Sequence, residues 1–246
     1  MKIWTYKEAR DKVQLDLDLT EEDFVTENEM IGYFNSAIDE AEAEIHTLAE
    51  DYFLTYTTVA TVLGSSEYSL PSDVYAQKIR ALIYANGTDV YPVSRFRAVE
   101  KFLDVTFTKN FYTQECYRYM IINKSITDGY KLALFPNSRE TGSFLTLWYL
   151  RNATRIPLVG EAKDGGGTYS LAEVEASFIE CPEFINFIFT WVKGFCRAKE
   201  NGGSFTEEDT ALITQQRKMM VDTLTQRVVD DDNTVVQDRS HYNEHT

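Results

Sequence analysis

His241, Glu244 and His245 spell H-x-x-E-H, letter for letter the signature of one class of zinc peptidase. That chemistry needs both imidazoles on one helix face, a rigid shell around them and a third ligand. Here the letters stand at the end of a polar stretch, Asp230 to Thr246, that shows no apolar pattern able to hold them. The expectation is therefore a solvated or partner-docked tail and no metal site. A metal-dependent hydrolase using these three residues is the enzymatic alternative. The only other histidine, His46, sits beside Ile45 in a helical pattern and is expected to be partly exposed. A Ser-His-Asp or Cys-His arrangement in the folded body would have to use it, and no nucleophile is marked for it.

The remaining reactive residue types are scattered. Cys116, Cys181 and Cys196 form no C-x-x-C pair, which reads as free buried thiols in a reducing compartment. Gly165-Gly166-Gly167 follows Lys163-Asp164 but lacks the Lys-Ser or Lys-Thr of a phosphate loop, so it is expected to be a flexible loop. Asp39, Glu40, Glu42 and Glu44, with Glu50 and Asp51 beyond, alternate with alanines and read as a solvated acidic face, a candidate lining for a channel. No catalytic constellation and no cofactor site emerge, and the expectation is a protein that is not an enzyme.

Four helices are predicted to position these residues. Thr5 with Glu8 and Thr26 with Glu29 are capping boxes. Behind the second, Met30, Phe34, Ile38, Ala41, Ile45 and Leu48 recur at spacings of three and four, one apolar stripe with acids opposite. Pro182 opens a third helix, Phe184 to Phe195, apolar nearly all round and so expected at the centre. Thr206, followed by Glu207, Glu208 and Asp209, starts a fourth, with Leu212, Ile213, Met220, Leu224 and Val228 as its buried stripe.

Between the second and third helices the period changes to two. Strands are predicted at 54–63, 67–71, 78–84, 90–93, 117–122, 130–135 and 144–150, with Asn86-Gly87 as a hairpin turn and a short helix at 96–103. The loops are too short for helical crossovers, so an antiparallel sheet or small sandwich is expected. The class is α+β: a helical bundle from residues 1–53 and 180–229, an inserted β-rich domain at 54–179, and an extended C-terminal tail at 230–246, whose Val235 and Val236 could add a strand to a neighbour.

The chain has 246 residues, 43% of them hydrophobic, enough for a sizeable core. Its 39 acidic and 24 basic residues give a net charge of −15, a surface that repels phosphate backbones and disfavours direct gripping of nucleic acid. No long apolar run predicts a membrane span, and the polar start predicts no signal peptide.

The order of parts carries a resemblance. The helix Glu29-Met30-Ile31-Gly32-Tyr33-Phe34, the pattern Tyr68-Ser69-Leu70-Pro71-Ser72-Asp73, the strand Lys78 to Tyr84, the strand Leu147-Trp148-Tyr149-Leu150 and the helix opened by Pro182-Glu183-Phe184 together resemble phage head-to-tail adaptor (connector) proteins. They are similar to the tail tubular protein A group of short-tailed phages and the ring proteins of related gut phages. The resemblance spans roughly residues 26 to 228. It implies a virion structural protein assembled in the host cytoplasm, a dodecameric ring between the portal protein and the tail or further ring proteins, and a lumen that passes DNA without specific binding. It brings no catalytic motif. By position it assigns the C-terminal stretch to partner docking: Asp230, Asp231, Asp232, Val235, Val236, His241 and Tyr242. Another tail-completion protein of the virion is the alternative within the same class.

Overall fold

The computed structural model describes all residues except 1, 20–23, 50, 88, 97–116, 126–128, 136, 139–141 and 242–246, with the backbone alone described at 124–125 and 227–241. The short helix expected at 96–103, Cys116, Glu50 and the terminal Tyr242 to Thr246 lie outside the described residues, save Phe96. Contacts divide the chain into two compact units, residues 1–52 with 153–246, and residues 53–152. Residues 153–179, assigned above to the β-rich insert, group with the helices instead.

The helical unit begins with α1 (Tyr6–Asp16) and α2 (Glu27–Leu48), each opened by a complete capping box, Thr5 with Glu8 and Thr26 with Glu29. A third box, Ser170 with Glu173, opens the one-turn α3 (Leu171–Glu175). A 3-10 turn, Pro182–Phe184, leads into α4 (Ile185–Glu200), and α5 spans Glu207–His241. The stripe read from the sequence is the core except at Leu48, which is half-buried: Met30, Phe34, Ile38, Ala41 and Ile45 of α2 are 0–1% exposed, and Ile188 and Val192 of α4 and Leu224 of α5 are fully buried as well. Helix α4 touches α1, α2 and α5, so it is central. Its Trp191 and Phe195 are only half-buried, however. They extend an aromatic row in which Phe195 stacks on Tyr33 at 5.2 Å and Phe205 meets both rings. Arg10 ties three helices together, with one guanidinium nitrogen 3.0 Å from Glu27 and another 3.0 Å from Glu175.

Gly194 lets α4 and α5 come close. A Cβ at this position would stand 2.8 Å from Cε1 of Phe205 and 3.4 Å from Cδ1 of Ile213. Gly194→Ala should change stability little, because about 1 kcal/mol of helix propensity offsets a small ring shift. Gly194→Leu should lose about 1–3 kcal/mol by overpacking, read as a lower denaturant midpoint.

The glycine run does not form an open flexible loop. Ala162 and Thr168 make a β-bridge, and Gly160, Tyr169 and Lys163 close backbone hydrogen bonds across it. The C-terminal expectation needs a larger correction. Residues 230–241 are helical rather than extended, because α5 continues without a break. No Gly or Pro occurs between Thr206 and His241, so nothing in the polar stretch stops the helix that Thr206 starts.

The second unit is a β-sandwich. One sheet has the order β1-β8-β3-β4, from strands Leu54–Ala60, Phe144–Arg151, Val74–Asn86 and Asp89–Pro92. The other has the order β2-β7-β6-β5, from Glu67–Ser69, Gly129–Phe135, Arg118–Ser125 and Ser94–Arg95. Among the described residues all strand pairings are antiparallel except β5 with β6. The class is therefore α+β. The hairpin at Asn86-Gly87 forms as expected, with Asn86 opposite Asp89 and Gly87 at φ +57°. Both sheets contribute to one core, including Leu82, Tyr84, Leu145, Leu147 and Tyr149 from the first and Tyr68, Tyr119, Leu132 and Leu134 from the second.

Candidate functional site: two surfaces

In the helical unit, α5 is the element that carries the expected docking residues. Its start is well held. The Thr206 hydroxyl accepts from the Asp209 backbone N–H at 3.1 Å and donates to the Asp209 carboxylate at 2.7 Å, which also pairs with Arg197 at 2.7 Å. Burial opposes ionisation of Asp209, but these bonds win and hold its pKa below the usual carboxylate value. Met220 and Leu224, one turn apart, are 2% and 0% exposed and anchor the helix against its own unit. Leu224 is the last buried residue among the side chains described. From there the backbone continues as helix for 17 more residues, about 25 Å at 1.5 Å per residue. Asp230, Asp231, Asp232, Val235, Val236 and His241 all lie on this last stretch, and Tyr242 lies outside the described residues. Val228 and Val235, and likewise Val229 and Val236, are seven residues apart, or about two helical turns.

The acids of α2 do not form one solvated face. Glu42 is 9% exposed and accepts the Ala153 backbone N–H at 2.8 Å. Asp39 pairs with Arg155 at 3.0 Å, and Glu44 pairs with Arg217. His46, expected to be partly exposed, is 2% exposed, with Nε2 3.5 Å from Glu42 Oε1. The i,i+4 spacing of Glu42 and His46 on the core side explains this, because the charged residue at 42 brings its own neutralising contacts inward. Cys196 is buried, which pushes its thiol up to about 11, and Cys181 is buried as well. Neither is poised as a nucleophile. Among the described residues, no three His, Cys, Asp or Glu side chains converge on a metal-sized site.

In the β unit, the turn from Tyr68 to Asp73 is fixed by two bonds of Asp73. The Asp73 carboxylate accepts the Tyr149 hydroxyl at 3.0 Å, while its carbonyl accepts the Asn152 N–H at 2.6 Å. Burial, then the bond to Asp73, pushes the Tyr149 phenol up to about 12. The motif thus ties the turn to β8.

Sequence reasoning did not find the second surface, which is the outer face of the β1-β8-β3-β4 sheet. Leu145, Leu147 and Tyr149 point into the sandwich, so their neighbours Phe144, Thr146 and Trp148 point out. The register adds Tyr56 and Thr58 beside Trp148 and Thr146, Ala81 and Ile83 on the other side, and Pro92 and Val90 beyond them. No Asp, Glu, Lys or Arg occupies any of these positions. The sequence signal was the alternation in β1, which puts Thr55 and Thr57 on the inner side and Leu54 and Tyr56 on the outer side.

The chain is thus a helical unit interrupted by a β-sandwich, with a long C-terminal helix and an uncharged outer sheet face as its distinguishing surfaces. The family model of the SU10 adaptor protein matches residues 4–239, and the chain belongs to that family. It is a phage head-to-tail adaptor, a structural part of the virion. Comparison with curated proteins gives no match. Among the described residues, no helix is long and apolar enough to cross a membrane.

Proposed function

We propose that this adaptor works as a ring of about twelve copies set between the portal protein and the tail, with a central channel through which DNA passes unheld. The observation that carries the reading is the family match over residues 4–239, nearly the whole chain. The charge supports it: at −15 per copy, twelve copies would carry roughly −180 before screening, so a passing DNA phosphate backbone would find little to bind. The last part of α5, with Asp230, Asp231, Asp232, Val235, Val236 and His241, is assigned together with Tyr242 to docking on the portal or the next ring. It lies beyond the last described anchor, Leu224.

End-on electron microscopy of the purified oligomer, and of the particle, tests the ring. Closed rings at the portal support it, and a hexameric ring on a tail tube would replace it with a tail-completion role. Deleting residues 230–246 should leave the melting temperature nearly unchanged while weakening association with the portal. A truncated chain that no longer folds would remove the docking assignment.

A further inference from the structure

The outer face of the β1-β8-β3-β4 sheet carries apolar and aromatic side chains where a surface that meets water ordinarily carries polar ones. Antiparallel sheets with one solvated face ordinarily alternate apolar inward and polar outward. In β1 the two threonines on the inner side, Thr55 and Thr57, pair with the core residues Tyr149 and Leu147, while Leu54 and Tyr56 are left outside, 38% and 60% exposed. Tyr56 lies against Trp148 with ring centroids 4.9 Å apart. Phe144 is 48% exposed and Val90 63%. The opposite sheet differs in that charges interrupt its outward positions, with Glu67, Arg118 and Lys131 standing among Met120, Ile122, Ala133 and Phe135. Strand β1 is also an edge. Among the described residues it pairs with β8 alone, and its seven residues carry neither a charge nor a proline to discourage a partner. Val62 and Leu63, just past its end, are 58% and 62% exposed. A contiguous apolar face next to an unguarded edge marks a contact surface.

The occupant follows from how charge is divided along the chain. Residues 53–152 hold 11 Lys and Arg against 8 Asp and Glu, a balance of +3, which leaves 13 against 31, or −18, for the helical unit out of the chain's 24 and 39. Two copies can meet helical unit to helical unit, β unit to β unit, or helical unit to β unit. The first brings together two strongly acidic bodies and the second two mildly basic ones. Only the third joins opposite signs.

We propose that the outer face of the β1-β8-β3-β4 sheet of one copy docks on the acidic helical unit of the next copy. Such a contact uses unlike surfaces on the two partners, so it is heterologous. Repeated, it propagates in one direction, and it closes into a ring if the rotation allows. The apolar face supplies the buried area. The charge difference sets which flank meets which and makes association sensitive to salt. The inference rests on the ring reading for the fact of self-association, and it adds which surfaces meet.

Tyr56→Asp with Phe144→Asp places two charges on the face at positions already exposed, so the fold is spared. The double variant should show an unchanged melting curve and at least a tenfold loss of self-association by sedimentation velocity or mass photometry. Lys131→Glu, on the outward side of the opposite sheet, should assemble as the wild type does. Raising salt from about 0.05 to 0.5 M, which shortens the screening length to a few ångströms, should weaken assembly of the wild type. A photo-reactive phenylalanine analogue in place of Tyr56 should crosslink to peptides from residues 1–52 or 153–246 of another copy, identified in mixed isotope-labelled samples. Crosslinks to residues 53–152, or double-variant rings that form normally, would overturn the inference and leave the ring standing. So would normal rings that lose only their tail components, which would give the face to a tail protein. A wild-type chain that stays monomeric even beside the portal would sink the ring reading itself.

Discussion

Phe34→Ala should lower the stability of the helical unit by about 3–5 kcal/mol, among the largest single losses available in this chain. Phe34 is 0% exposed in the middle of α2, and its ring meets Tyr6 of α1 edge-on, with centroids 5.5 Å apart and planes at 86°. Truncation removes the ring's transfer energy, opens a cavity that backbone-tethered neighbours cannot fill, and abolishes an aromatic pair worth about 0.5–1.5 kcal/mol. In a unit of this size the melting temperature should fall by about 10 °C. The control is Phe178→Ala: the same substitution at a ring 65% exposed, expected to stay within about 0.5 kcal/mol. If the two variants melted alike, α2 would not be the organising helix. Because the chain has two units, the unfolding must be followed with a probe local to the helices, such as amide exchange along α2, rather than with a global signal.

That prediction is secure because the feature behind it was already visible in the sequence. Phe34 stands in a stripe whose spacing reports burial directly, and the two capping boxes mark where the first helices start, because a Thr and a Glu three residues apart can satisfy two orphan amides locally. Strand positions were legible for the same local reason. What local pattern cannot supply is pairing. That β8 lies between β1 and β3 depends on contacts 59 to 96 residues apart, and nothing in any of these strands names its partner. Helix α3 was missed because five residues are too few to show a stripe, although its box, Ser170 with Glu173, was there to be read. The C-terminal stretch was misread for a different reason. Low apolar content predicts an extended tail, but an established helix needs only the absence of a breaker to continue, since propagation costs far less than nucleation. His46 was misjudged because its neighbour Ile45 said little, whereas Glu42, one turn back, was the residue that decided its environment. For the functional surfaces, the residues assigned to docking, from Asp230 to Tyr242, came from position in a family-like layout. The uncharged sheet face was invisible until register put Tyr56 beside Trp148 and Ala81 beside the same tryptophan.

Tyr84 gives the matching test for the β unit, because its ring and its hydroxyl should pull in opposite directions. The side chain is 1% exposed, lies in the sandwich core and stacks on Tyr117 with centroids 4.3 Å apart. Its hydroxyl is buried and has no hydrogen-bond partner among the described residues. Tyr84→Ala should therefore cost about 3–5 kcal/mol, the toll of a large aromatic deleted from a packed core. Tyr84→Phe keeps the ring and removes only the stranded hydroxyl. A buried polar group left without a partner costs about 1–3 kcal/mol relative to water, so the phenylalanine variant should be neutral or more stable than the wild type by up to that amount. Denaturant unfolding, read through exchange of β3 and β8 amides, separates the two. If Tyr84→Phe proved destabilising by more than about 1 kcal/mol, the hydroxyl would have to be bonded in solution, and the centre of the sandwich would be wetter than its apolar lining implies. The pair of variants also bears on the outer face of the same sheet. Ala85 and Ile83 flank Tyr84 on β3 and point to the side opposite its ring, so a core variant that loosens β3 should weaken self-association along with stability. Tyr56→Asp with Phe144→Asp should weaken association alone. Coincidence of both losses in one variant and their separation in the other would distinguish a face that acts by contact from one that merely needs an intact sheet behind it.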